Sequence, residues 1–83
     1  MSAEEKIRVT VEIYGQTYTV LGTESPEHIK RVAKNVDEAM HFIRENNPSL
    51  DLTRIAVLTA LNTENERMKL AKQLQSKEDD KEE

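Results

Sequence analysis

Hydrophobic positions along the chain change their period twice, and each change marks an element. From Ile7 they alternate strictly with polar ones. Ile7, Val9, Val11 and Ile13 fall on one face and Arg8, Thr10, Glu12 and Tyr14 on the other, the two-residue period of a half-buried strand. Gly15 ends the alternation. The next segment, TYTVL at Thr17 to Leu21, is rich in β-branched and aromatic residues and predicts a second strand, with Gly15 and Gln16 as the central residues of a hairpin turn. In that register Tyr14 faces Thr17, Ile13 faces Tyr18, Val11 faces Val20 and Val9 faces Gly22, so the apolar pairs share one side.

A two-stranded hairpin is marginal alone in water and needs a helix against its apolar face. The period then lengthens: Ile29, Val32, Ala33, Val36, Met40 and Ile43 recur at helical spacing and predict an amphipathic helix over residues 26–45. Ser25 suits its N-cap, Pro26 its first position and Glu27 the positive end of its dipole. Pro48 stops it by forcing its predecessor out of helical conformation. Asp51 is placed to cap a second helix, with Leu50 and Ile55 spaced as a hydrophobic staple across the cap. That helix meets no proline or glycine from Leu52 onward. In its first half, the run AVLTALN at Ala56 to Asn62 has apolar side chains on nearly every side of about two turns, more than one neighbour can cover.

The expected fold is therefore α+β: an N-terminal two-stranded antiparallel hairpin, an amphipathic helix, then a long C-terminal helix forming an oligomeric coiled coil. Residues 1–49 make the head, residues 50–76 the oligomerisation helix, and residues 77–83 a charged tail expected to be disordered. At about 1.5 Å per residue, residues 52–76 span roughly 37 Å, far beyond the reach of a hairpin. Val57, Leu61, Glu64, Met68, Ala71 and Gln75 follow a four-three spacing along that length, a coiled-coil seam with two polar positions. Asn62 and Asn65 adjoin it, and a buried asparagine can set the register between helices. Val57, Leu58, Leu61, Asn62, Asn65, Met68 and Ala71 are thus the expected oligomer interface. Leu70 and Leu74 lie off the seam and offer a second contact through which dimers could join as tetramers.

Composition narrows the function. Charged residues are 34% of the 83, aromatics 4%, and the formal net charge is -4. Sequence-independent affinity for nucleic acid comes from clustered Lys and Arg, which this balance does not supply. With only Gly15 and Gly22, no glycine-rich phosphate cradle can be built. A short, aromatic-poor chain also has little material to line a small-molecule pocket. No enzymatic activity and no cofactor are expected. The lack of cysteine excludes disulfides and thiolate metal sites and fits a reducing cytoplasm. MSAEEKIRV has no apolar core of a signal peptide, and no run approaches the roughly 18 apolar residues of a membrane span, so a soluble, unprocessed chain without membrane insertion is expected. A core of this size supplies about 3 to 5 kcal/mol, and self-association is the expected further stabiliser.

Candidate chemistry is sparse. His41 has Asp37 one turn before it and Glu45 one turn after, a ligand-like spacing, but no third ligand is evident and no metal is expected. Carboxylates sit among lysines on exposed faces rather than in pairs that push their pKa values apart. The outer side of the first helix is more informative. Lys30, Lys34, His41 and Arg44 fall along one flank with Asp37 among them; Arg31, Asn35, Glu38 and Phe42 fall along the other. Phe42 is the one phenylalanine, and basic residues beside an aromatic suit an acidic protein surface, because Arg and aromatics dominate interface energetics. Lys30, Arg31, Lys34, His41, Phe42 and Arg44 are the expected partner-binding residues. The alternative is a β-ribbon nucleic-acid-binding dimer using Arg8, Thr10, Glu12, Thr17 and Thr19, a face with one basic residue.

The hairpin IYGQTY at Ile13 to Tyr18, the helix ending in NNP, and above all AVLTALNTENE at Ala56 to Glu66 resemble the ZapA family of bacterial cell-division proteins. The resemblance runs over residues 7–75 in the same order and spacing. It implies a non-enzymatic scaffold, dimeric or tetrameric through its long helix, that binds FtsZ in the cytoplasm at the division site and bundles its filaments. It also implies that charged head residues make the FtsZ contact. Arg44 matches a basic position near the end of the first helix, whereas Gln16 stands where some relatives carry a turn arginine.

Overall fold

The structure, a computed structural model, describes residues 5–81. Strands β1 (Ile7–Ile13) and β2 (Gln16–Gly22) are followed by helices α1 (Pro26–Asn46) and α2 (Leu52–Lys81). The fold is α+β, and the chain divides between Ser49 and Leu50 into two compact units.

In the first unit β1 and β2 form an antiparallel two-stranded sheet. Its register corrects the expected one. Ile13 pairs with Gln16, Val11 with Tyr18, Val9 with Val20 and Ile7 with Gly22, so the turn is centred on Tyr14 and Gly15 rather than on Gly15 and Gln16. Both central residues have positive φ, 52° at Tyr14 and 76° at Gly15, as a type I′ turn requires. Periodicity could not separate the two registers. They differ by two residues, and a two-residue slip returns every side chain to its original face.

α1 packs over β1. Val9, Val11, Ile29 and Ala33 are buried together, with Ile7 and Ile13 packed against them. Met40 and Ile43 are buried further along α1, and Val36 is half-buried. Val32 departs from the expected stripe and stays 47% exposed, on the flank of α1 beside an apolar groove to which Val20 of β2 contributes. The helix is bounded as its sequence dictates. The Ser25 hydroxyl accepts from the His28 amide at 3.2 Å, and Pro26 occupies the first turn. At the other end Asn46 Nδ2 donates to the Phe42 carbonyl at 2.9 Å and Asn47 Nδ2 to that of Ile43 at 3.1 Å, satisfying carbonyls that the helix leaves open.

The second unit is built on α2. Asp51 caps it, its Oδ1 accepting from the Arg54 amide at 2.9 Å while Oδ2 meets Arg54 Nη1 at 3.1 Å. Ile55 is fully buried, and Thr59 is buried one turn later with its hydroxyl donating to the Ile55 carbonyl at 2.8 Å. The helix continues to Lys81, past the expected boundary at residue 76, through Lys, Glu and Asp residues that include no helix breaker. The last two residues of the expected tail, 82–83, lie outside the described residues. Among the described residues no helix is long and apolar enough to cross a membrane.

Candidate partner-binding site

The turn between β1 and β2 and the second half of α1 are joined through one residue. Tyr14 sits at the tip of the hairpin with its backbone in the left-handed region, a conformation that costs a non-glycine residue roughly 1 kcal/mol unless its surroundings hold it. Three contacts hold it. Its amide donates to Asp37 Oδ1 at 2.6 Å, its hydroxyl accepts from Arg44 Nη1 at 3.0 Å, and its ring lies against that of His41 with centroids 4.7 Å apart and planes 33° from parallel. Asp37 is shared, since His41 Nε2 lies 3.5 Å from the same Oδ1. Asp37, His41 and Arg44 follow one another at helical spacing, so a single flank of α1 supplies the acceptor, the stacking ring and the guanidinium.

The same flank continues towards the start of α1. Lys30, Lys34 and Asp37 line a groove of about 300 Å³ whose other wall is Thr10, Val11 and Glu12 of β1. Lys30, Lys34, His41 and Arg44 are all exposed, which gives the head three cations and an imidazole in a strip beside a phenol. Arg31 and Phe42 line neither this groove nor the Tyr14 cluster, and Phe42 is 66% exposed. Asp37 stood out in the sequence as a member of the flank and as a neighbour of His41 at helical spacing, and Tyr14 as an outward residue of β1; neither reading joined the two. A tyrosine before a glycine at the end of an alternating run was the available signal for both, because type I′ turns place glycine second.

On α2, Val57, Leu61, Asn62, Asn65, Met68 and Ala71 are exposed and Leu58 is half-buried. Successive residues turn by about 100°, so Val57 and Leu61 face away from the buried side of the helix at Ile55 and Thr59. Glu64, within the seam, is held by Arg67, which donates to its carboxylate at 3.0 and 2.8 Å. That hydrogen bonding lowers the Glu64 carboxyl from its ordinary value, against an opposing effect of desolvation and with added help from the guanidinium charge. Among the described residues no group of His, Cys, Asp and Glu is arranged to hold a metal ion. The head can hydrogen-bond, pair charges and stack, which is the chemistry of recognition.

Comparison with known proteins decides the family. The family described as Cell division protein ZapA matches residues 9–83. The chain belongs to the ZapA family. It is 57% identical over 70 residues to Cell division protein ZapA of Geobacillus thermodenitrificans, covering 84% of this chain and 77% of that one. It is 46% identical over 78 residues to Cell division protein ZapA of Bacillus pumilus, covering 94% and 92%. Among solved structures it is similar to a ZapA mutant dimer from Geobacillus stearothermophilus, with a TM-score of 0.81, 43% identity, and coverage of 100% of this chain and 96% of that one. ZapA membership assigns the chain a role in cell division and accounts for the order of hairpin, α1 and α2.

Proposed function

We propose that the chain is a non-enzymatic cytoplasmic scaffold of the division site that binds FtsZ through its heads and cross-links FtsZ filaments. Two copies pair along α2, and a further contact through Leu70 and Leu74 makes a homotetramer. The observation that carries this reading is the exposure of the α2 seam. Val57, Leu61 and Met68 are 54%, 61% and 50% exposed in the single chain, at a spacing that suits a second helix. The ZapA dimer of Geobacillus stearothermophilus, whose sequence is 43% identical, supports the pairing. Lys30, Arg31, Lys34, His41, Phe42 and Arg44 form the FtsZ-facing surface. Two heads on one assembly then act by multivalency, the second contact forming at high effective concentration once the first is made.

Co-sedimentation with FtsZ filaments tests the surface. Lys34→Glu combined with Arg44→Glu reverses two charges on one flank and is expected to weaken binding by about tenfold or more, with oligomer mass retained. Undiminished bundling by that double variant removes the surface from the mechanism.

A further inference from the structure

β2 is left open along its edge and along its inner face. α1 lies over β1, and β2 is exposed for nearly its whole length. The sheet has two strands, so no strand of this chain occupies the outer edge of β2. Because a two-residue turn is closed by Ile13 and Gln16, the hydrogen-bonded pairs within the hairpin use Gln16, Tyr18, Val20 and Gly22 of β2. The amides and carbonyls of Thr17, Thr19 and Leu21 therefore point to the open edge. Native proteins guard such edges with a charge, a proline or a bulge. β2 has none of the three: QTYTVLG carries neither charge nor proline, and its pairing with β1 runs one-to-one throughout.

The same strand walls an apolar groove. Tyr18 and Val20 pair with Val11 and Val9 and so share the face on which α1 packs, yet both are exposed because the helix lies over β1. Between Val20 and the flank of α1 runs a groove of about 270 Å³, floored by Ile29, Val32 and Val36. Glu24, two residues beyond the end of β2, is the one carboxylate that lines it, which puts a negative charge at the Gly22 end. Among the described residues Glu24 joins no ion pair.

We propose that β2 and this groove form a docking site for an extended segment of a partner protein, which adds to the sheet as a strand antiparallel to β2. The geometry sets the pattern of that segment. Its residues opposite Tyr18 and Val20 face the groove and are apolar, those opposite Thr17, Thr19 and Leu21 face water and are polar, and the one opposite Gly22 is basic and meets Glu24. Backbone hydrogen bonds supply affinity, and the groove with its carboxylate supplies selectivity. The β2 strand of a second copy does not fit this pattern, because QTYTVLG brings no cation to Glu24. None of Lys30, Arg31, Lys34, His41, Phe42 and Arg44 lines the groove, so the site stands independently of the surface assigned to FtsZ.

The test uses the full-length chain and the peptide Lys-Thr-Val-Thr-Val-Thr-Gly, carrying fluorescein at its C-terminus and read by fluorescence polarisation. Saturable binding is expected with a dissociation constant below about 1 mM, together with new hydrogen-exchange protection at the amides of Thr17, Thr19 and Leu21. Methylating the backbone nitrogen of the fourth peptide residue, opposite Thr19, removes a bond to the edge and is expected to weaken binding about tenfold. Val32→Asp, at a position 47% exposed, sets a charge in the groove and is expected to weaken binding by about the same factor. Glu24→Lys is expected to weaken binding of this peptide by about threefold or more and to prefer the peptide with Glu in place of Lys. Absence of saturable binding, or unchanged binding by the methylated peptide or by Val32→Asp, overturns the proposal. A fall in oligomer mass on Val32→Asp with no peptide present assigns the groove to a second copy and overturns it as well.

Discussion

Tyr14 concentrates what sequence pattern could and could not show. Its alternation with apolar neighbours placed it on the outer face of β1, and no periodicity argument reveals that its backbone turns left-handed. The deciding contacts come from α1, more than twenty positions away in sequence, where Asp37 accepts the Tyr14 amide and Arg44 reaches its hydroxyl. The Asp37 contact is part-buried and charge-assisted, whereas the Arg44 contact is exposed. Hydrogen bonds to charged groups contribute about 1.5 to 3 kcal/mol, against about 0.5 to 1.5 for neutral ones, and exposure lowers both. Asp37→Ala is therefore expected to destabilise the protein by about 1 to 3 kcal/mol and Tyr14→Phe by less than about 1 kcal/mol. Urea midpoints at constant m-value would measure the difference; an unchanged midpoint for Asp37→Ala would mean the turn holds its own conformation.

At the scale of elements the sequence was more legible, because caps and periodicity are local. Ser25, Pro26, the asparagine pair at the end of α1 and Asp51 before α2 all stand where their side chains complete the helix termini. Two features were not local. The exposure of Val32 depends on α1 lying over β1, and burial of Thr59 rests on its hydroxyl finding the Ile55 carbonyl, which removes the cost of enclosing a polar group. Asp51 carries the start of α2, with one oxygen on the Arg54 amide and the other on its guanidinium. Both contacts are exposed, so the ion pair contributes little and the cap most of the effect. Asp51→Ala is expected to cost about 0.5 to 2 kcal/mol and Asp51→Asn, which keeps a capping oxygen, only a few tenths. Equal losses for the two variants, read from thermal melts, would assign the effect to the charge instead.

For the whole molecule the question is how many copies complete it. Leu61 is 61% exposed, and Asn62 and Asn65 beside it are exposed as well. In an isolated chain, Leu61→Glu would place a charge in water and alter stability by no more than about 0.5 kcal/mol. In a paired seam the same substitution buries an unpaired carboxylate in each copy and costs roughly 3 kcal/mol or more, enough to weaken association by at least about a hundredfold. The two cases therefore separate by direct measurement. Light scattering over a dilution series is expected to show the unaltered chain as dimer or tetramer and Leu61→Glu as monomer at the same concentrations, with a melting temperature that no longer rises with protein concentration. The concentration dependence matters as much as the mass, because a chain whose folding is completed by its partner must lose stability on dilution. A Leu61→Glu variant of unchanged mass would move the interface off this face of α2, and with it the reason the run AVLTALN carries apolar side chains on sides that its own chain leaves in water.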